Sequence, residues 1–221
     1  DSTGDVLKTK NKYDSFGLHA YGAYAPVDRV NLIGTLSWMH NSSDITQSIN
    51  AAGFNKADAD VKTNLFSLGA RAEANLPVGK ANVIPHAGLR YVWAKSGSYD
   101  TKVDGKKVWG NTPDATNTFQ LPIGVAVRGD IMTVSGWNVR PQADLTFIPQ
   151  FGDTEQKTKL SNFNGVSDKL SGEFAGKFGT SVNLGVQADK GPTTFGVRYG
   201  FTAGTKGKAD HAFKFEYRYR F

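Results

Sequence analysis

The chain has 221 residues, a net charge of +6, 25 glycines and no cysteine. The absence of cysteine excludes a disulfide scaffold and thiolate metal sites. Glycine exceeds the about 15 expected at an average of about 7%, which favours strands joined by turns. The most apolar stretches, such as LPIGVAV at 121–127, are far shorter than the roughly 20 residues of a membrane helix, so a helical membrane protein is excluded. The opening residues DSTGDVLKTK are polar, so we expect any export signal to lie upstream of Asp1.

Apolar and polar residues alternate with a period of two in nine segments along the chain. On a strand this spacing sorts the two kinds of side chain onto opposite faces, whereas on a helix it would mix them around the axis. In the first segment, for example, Phe16 and Leu18 alternate with Ser15 and His19. In chain order the predicted strands are 13–24, 30–40, 63–76, 81–94, 117–129, 136–149, 173–188, 193–203 and 213–221.

The connections between these strands alternate between short and long. Tight or fairly short turns are predicted at 25–29, 77–80, 130–135 and 189–192. Long loops are predicted at 41–61, 95–116 and 150–171, and 204–209 is the last connection. The strands themselves are about 10 to 14 residues long, well above the usual length of about 5 to 6. This layout is typical of an up-and-down outer-membrane barrel, with tight periplasmic turns and long external loops.

The two faces of the predicted strands differ in a way that assigns their surroundings. Arginine or lysine facing lipid at mid-depth costs about 2 to 4 kcal/mol, so the charged face must line the interior and the apolar face must contact hydrocarbon. Aromatic residues near strand ends fit interfacial girdles. They are Tyr24, Trp38, Tyr91, Trp93, Trp137, Phe147 and Tyr199.

The inward set predicts a hydrated, rather basic lumen. We expect its members to form a polar network that holds the wall together and that can also contact a lumen helix or a polypeptide in transit. Because the arginines occur about one per strand and point inward, nucleic acid is not an expected partner. The predicted network comprises Arg71, Glu73, His86, Arg90, Arg128, Arg140, Asp144, Arg198 and Arg218.

Three stretches carry a resemblance to a known family. They are LPVGKANVIPHAGLRYVWA (76–94), NVRPQADLTFIPQFGD (138–153) and FGVRYGFTAGTKGKADHAFKFEYRYRF (195–221). Together they resemble the C-terminal β-domain of autotransporters, the type V secretion translocators of Gram-negative bacteria. The resemblance runs in order over essentially the whole chain and is strongest in its second half.

The resemblance implies a twelve-stranded outer-membrane barrel with a helix threaded through the lumen and an N-terminal passenger exported to the cell surface. It also implies a terminal strand that is read by the β-barrel assembly machine. The positions of that signal here are Phe213, Phe215, Tyr217, Tyr219 and Phe221. The expected partners are outer-membrane lipid and lipopolysaccharide, the assembly machine, and the protein's own passenger or lumen helix.

The predicted strand number departs from the family. With a periplasmic C-terminus, residues 1–11 fall on the outside, in an external loop. The first and last of nine antiparallel strands would run parallel, so a closed barrel requires about three more strands. These would come from upstream sequence, from unresolved residues or from another protein. A weak extra strand at residues 3–10 is the simpler alternative.

Other functional classes were weighed against the translocator. His40 and His86 invite an enzymatic interpretation, but a triad needs side chains within about 3 Å, which spacing alone does not indicate. The four scattered histidines have no metal-ligand spacing, and we expect neither metal nor cofactor. We therefore predict a non-enzymatic translocator barrel spanning 1–221, with a porin or an adhesin-like barrel as the alternative.

Overall fold

The computed structural model describes residues 7–51, 54–162, 165–173, 176–205 and 209–220. Three residues of the predicted strands, Phe174, Ala175 and Phe221, lie outside these ranges. The described residues form one sheet of sixteen strands in which each pairing is antiparallel. None of their helical segments is long and apolar enough to cross a membrane.

The strands are numbered β1 to β16 in chain order. Their bounds are Leu7–Val27, Val30–Ala51, Phe54–Ala74, Leu76–Val78, Ala81–Ser96, Tyr99–Val103, Lys106–Pro113, Thr116–Gln120, Ile123–Gly129, Ile131–Met132, Asn138–Gly152, Glu155–Asn162, Ser167–Glu173, Phe178–Lys190, Thr193–Gly204 and Ala209–Tyr219.

The main wall of the sheet has the nine positions that the alternation predicts. Some positions are shared by successive strands, since β4 continues β3, and β9 and β10 continue β8. Across the wall the order is β1, β2, β3 with β4, β5, β8 with β9 and β10, β11, β14, β15 and β16. The seventh predicted strand needs a correction, because β14 begins at Phe178, whereas Glu173 ends β13.

The three long connections are not irregular loops, which corrects the sequence interpretation. Residues 41–51 and 54–61 lengthen β2 and β3 into a tall hairpin. Residues 99–113 form the β6–β7 hairpin, and 155–162 pair with 167–173 as the β12–β13 hairpin. Neighbouring hairpins also pair laterally, β3 with β6 and β7 with β12. Residues 7–11, predicted to lie in a loop or a separate strand, belong to β1 and pair with β2.

These segments together make a taller continuation of the wall, which we call the extension: residues 8–14, 40–48, 55–64, 99–113, 155–162 and 165–173. It lies at the end of the sheet opposite the tight turns. With 22 residues, β2 is about 70 Å long at about 3.3 Å per residue. Even tilted by about 45°, it rises about 50 Å, twice the height of an apolar band of about 25 Å.

The sheet is a single layer whose polarity is inverted relative to a soluble protein. Every substantial contact between elements joins hydrogen-bonded neighbours, so no second layer packs on the described strands. Among those residues Ile84 is the one buried hydrophobic side chain. On β11, Leu145 is 52% exposed and Phe147 47%, while Thr146 between them is 7% exposed. The apolar face therefore points outward and the polar face inward, as predicted.

Aromatic rings contact one another at both ends of the wall. Near the tight turns the ring of Phe195 lies 6.1 Å from Trp137 and 5.2 Å from Tyr217. Toward the extension, Tyr91 lies 5.0 Å from Phe119, and similar pairs join Phe16 with Trp38 and Phe147 with Phe178. Two such levels of rings are what the interfaces of a membrane-spanning barrel require.

The wall ends at β1 on one side and at β16 on the other. Within the described residues β1 pairs with β2 alone and β16 with β15 alone. Both strands run in the same direction, since eight antiparallel steps separate them.

Candidate functional site: the polar lumen

The inner face of the wall encloses a cavity of about 380 Å³. Its lining comes from β3 at one end and β15 at the other, five wall positions apart, so the sheet curls around a lumen. Five of the predicted network residues line this one cavity. They are Arg71, Glu73, Arg128, Asp144 and Arg198.

Arg71 and Glu73 pair along the same strand. Both lie on the inner face of β3 because they are two residues apart, and Arg71 Nη2 lies 3.2 Å from Glu73 Oε2. The amide of Asn31 on the neighbouring β2 donates to Glu73 at 3.5 Å. This pair compensates one of the lumen arginines.

His86 and Asp144 are joined across an intervening strand. His86 lies on β5 and Asp144 on β11, and Gly124 of β9 stands between them. The His86 Nε2 to Asp144 Oδ2 distance is 2.9 Å, and Thr146 Oγ1 donates to Asp144 Oδ1 at 2.7 Å. A Cβ at Gly124 would stand 2.6 Å from His86 Cε1, so only glycine leaves room for the ring. The imidazole is accordingly buried, with its side chain 1% exposed.

The next polar cluster lies toward the tight turns and centres on Asp189. Its carboxylate accepts hydrogen bonds from Arg140, from Gln187 at 3.1 Å and from Thr194 at 2.7 Å. The sequence interpretation missed Asp189 because it ended that strand at residue 188. The signal was present, since Asp189 continues the odd-numbered inward set that includes Asn183.

The remaining predicted network residues are placed separately. Arg90 donates from Nε to Ser67 Oγ at 3.0 Å, and Arg218 lies 2.7 Å from Glu216 on the same strand. For Arg128 and Arg198 the described residues supply no ion-pair partner. The nine predicted residues thus form several small clusters, and two of the arginines carry uncompensated charge into the cavity.

The geometry offers no hydrolytic triad among the described residues. His19 Nδ1 lies 2.6 Å from Ser37 Oγ with no carboxylate bonded to it, and His40 Nδ1 lies 2.9 Å from an amide oxygen of Asn64. The Thr146 hydroxyl donates its hydrogen bond to Asp144, so it is not poised to give its proton to His86. The described residues also hold no group of three or more His, Asp or Glu side chains able to bind a metal ion.

The terminal strand presents its aromatic side chains on one exposed face. Phe213, Phe215, Tyr217 and Tyr219 are between 47% and 77% exposed. The charged residues between them follow the inner face, because Lys214 stands opposite Arg198 and Arg218 opposite Thr194.

Comparisons with known proteins agree with this architecture. A family model described as autotransporter β-domain matches residues 1–200. The β domain of the Bordetella autotransporter BrkA is 18% identical, with 96% of this chain and 75% of that chain covered and a TM-score of 0.67. The transport unit of the autotransporter AIDA-I from Escherichia coli is 10% identical, with 97% and 84% covered and a TM-score of 0.34. None of the curated proteins matches the chain in sequence.

Proposed function

Because the chain belongs to the autotransporter β-domain family, whose members are outer-membrane translocators, we propose that it exports a passenger polypeptide through its lumen. The observation that carries this proposal is the inverted single-layer sheet, with apolar side chains outward and a charged cavity of about 380 Å³ inward. A wall of this kind is stable only where hydrocarbon contacts its outer face and water or a polar chain occupies its interior.

The route of the passenger is the lumen. Arg128 and Arg198 would attract acidic or polar groups of a transiting chain or a lumen helix, since their charge has no ion-pair partner among the described residues. The paired groups, such as Arg71 with Glu73, keep the wall in shape while a chain passes. No step of this function requires bond chemistry, so the mechanism is physical.

The orientation follows from the two ends of the sheet. The tight turns and the C-terminal end of β16 lie at the same end of the sheet, which we assign to the periplasm. The extension then stands outside the cell. Lipopolysaccharide and lipid would surround the outward apolar band. The edges of β1 and β16 cannot stay open to hydrocarbon, and an odd number of further strands, about three, would close the wall in antiparallel fashion.

A matched pair of substitutions tests the lumen as the export route. Ala126 lines the cavity, while its neighbour Val125 faces outward. In full-length protein carrying a reporter passenger, we expect Ala126→Trp to lower the amount of reporter that external protease releases from intact cells. Val125→Trp should leave that amount unchanged, and both variants should still form heat-modifiable barrels.

The same experiment separates the translocator from a pore. Equal reporter export by the two variants would contradict a route through the lumen. A purified full-length barrel that conducts ions in planar bilayers while no reporter ever reaches the surface would instead identify a porin.

A further inference from the structure

In the extension the charged side chains lie on the outer face of the sheet, whereas in the membrane wall they lie on the inner face. The strands themselves keep the same orientation from one region to the other. Along β2 the outward side chains pass from Leu36 and Trp38 to Asp44, while the inward ones pass from Ser37 to Ile45. The pairing of β2 with β3 is continuous from Val30 to Ser48, so these residues keep their faces along the whole strand. Above the aromatic level, the charged side chains therefore lie outside, and the inner face combines apolar residues such as Ile45 with uncharged polar ones such as Ser43.

The same separation holds across the other hairpins of the extension. In its described strands the charged side chains lie on the outer face, with Lys106 at a hairpin tip and Asp168 on β13 as the exceptions. The pairing register shifts at two bulges. Thr63 pairs with Ser96 but Ala59 pairs with Thr101, and Gly97 between Ser96 and Thr101 donates to the Lys62 carbonyl. In the β6–β7 hairpin, Thr101 pairs with Trp109 but Lys102 pairs with Lys107. The first shift keeps the aliphatic and aromatic residues of β6 inward.

Apart from Lys106 and Asp168, the inner face of the extension is made of uncharged side chains, both apolar and polar. Its members include Ile45, Ala57, Ala59, Val61, Tyr99, Thr101, Val103, Trp109, Asn111, Thr158, Leu160 and Leu170. No element of the described residues packs across this face. A water-filled channel tolerates charged side chains on its wall, so it does not explain why charge is concentrated on the outer face. A face that contacts an apolar partner does explain it, because burying a charge against that partner costs free energy.

The inner face is continuous with the lumen. Directly below it lies a second cavity of about 780 Å³ whose lining is less charged than that of the lower cavity. It combines Leu65, Val92 and Ile148 with Thr116 and Thr118. From the tight-turn end outward, the passage therefore changes from arginine-rich to threonine-rich and aliphatic, and then to the uncharged inner face of the extension.

We propose that this inner face is an exit surface that binds apolar stretches of the exported polypeptide while they are still unfolded. The inference rests on the export function proposed above. The occupant is the transiting chain because the face continues the passage from which that chain emerges. An unfolded chain exposes apolar side chains that aggregate when unprotected. A largely uncharged wall that offers aliphatic and aromatic side chains between Asn, Ser and Thr can shelter them without selecting for charge.

Site-directed crosslinking on neighbouring residues tests this proposal. These 221 residues contain no cysteine, so each introduced cysteine is the single one among them. Three matched pairs share a strand and a level but face opposite ways: Val61→Cys with Lys62→Cys, Thr101→Cys with Lys102→Cys, and Thr158→Cys with Lys157→Cys. The full-length protein carries a reporter passenger that is stalled in export by a tightly folded domain. The reporter has a single cysteine in an apolar stretch or, in a second version, in a charged stretch.

With a short bismaleimide crosslinker, we expect reporter adducts from the inward member of each pair and only background from the outward member. The apolar version of the reporter should give the stronger adduct. Each variant must form heat-modifiable barrels, so that loss of folding cannot imitate loss of binding, and three pairs on three strands guard against failure at one of them.

Three results would overturn the inference. The first is an equal yield of adduct from the inward and the outward cysteines. The second is an equal yield with the apolar and the charged versions of the reporter. The third is an adduct with the mass of two barrels, which would mean that a second copy covers the face. If the reporter is exposed at the surface without inward adducts, export stands and the exit surface falls. If the reporter never reaches the surface, both proposals fall.

Discussion

Gly124 is the residue on which the buried His86 to Asp144 contact depends. A Cβ there would lie 2.6 Å from His86 Cε1 and 2.8 Å from Thr146 Oγ1. We expect Gly124→Val to destabilise the folded barrel by about 1 to 3 kcal/mol, because side chains in a packed site must leave their rotamers. The free energy of unfolding in urea, measured in detergent micelles, checks this value.

Gly34 provides the control for that measurement. It lies on the outward face of β2, and a Cβ there meets nothing within 4 Å. Gly34→Val should leave the stability unchanged or raise it, since valine suits a strand. Equal losses in the two variants would mean that the crowding at His86 is unimportant.

Period-two alternation predicted the face of each lumen residue, but it could not predict partners. His86 was placed on the inner face from sequence, yet its contact with Asp144, 58 positions away, depends on the order of three strands. That order follows from register, which alternation leaves open along a wall whose strands all read alike. Asp189 was lost for a simpler reason, since a strand end is the least certain part of any pattern.

At the scale of elements, the tip of the β6–β7 hairpin is fastened to the start of β3 by Asp104. Its carboxylate accepts the Asn55 amide at 3.2 Å and the Lys56 amide at 3.1 Å. Asp104 has a positive φ of 46°, so glycine can replace it without strain. We expect Asp104→Gly to weaken local protection by about 0.5 to 1.5 kcal/mol, as the loss of a hydrogen bond does.

Amide hydrogen exchange at Asn55 and Lys56 measures this effect. Asp104→Asn keeps an acceptor oxygen and tolerates a positive φ, so it should retain most of the protection. Exchange in the glycine variant as slow as in the unsubstituted protein would show that the carboxylate does not hold the two hairpins together.

The extension was the part of the fold that the sequence concealed. Its strands have no hydrocarbon on their outer face, so the strong contrast of aromatic against charged residues disappears, as in Thr112 beside Asn111 and Pro113. The bulge at Gly97 also breaks the count of alternation between β5 and β6. Hydrogen bonds between side chains also stabilise the β2–β3 hairpin on its outer face. There the Lys56 ammonium and the Thr46 hydroxyl keep the pKa of Asp58 below its usual 3.8.

For the whole molecule, the assignment of lipid to one face and water to the other is tested by two neighbouring residues in the middle of β14. Leu184 is outward and 48% exposed, whereas Asn183 lines the charged cavity. We expect Leu184→Lys to destabilise the barrel in lipid vesicles by about 2 to 4 kcal/mol, the cost of an ammonium at mid-bilayer.

Asn183→Lys is the matched control, because it adds the same charge to the hydrated side and should cost far less. The comparison uses reversible unfolding in phospholipid vesicles. Equal costs for the two lysines would contradict the assignment of the faces, and a larger cost for Asn183→Lys would reverse it.

The terminal strand allows recognition by the assembly machine to be separated from contact with lipid. Tyr219 on β16 and Phe195 on β15 are both outward, both near the tight-turn end, and 47% and 49% exposed. Near an interface, a lipid-facing charge costs only about 0 to 1 kcal/mol, so lipid contact alone would make aspartate similarly mild at both positions. If the last aromatics act as a sorting signal, Tyr219→Asp should block insertion in cells while Phe195→Asp does not.

The yield of heat-modifiable barrel in cells and the folding yield of the same purified chains in vesicles measure the two contributions. Equal yields in cells for the two variants would remove the signal role, and a Tyr219→Asp chain that fails in vesicles as well would trace the defect to folding.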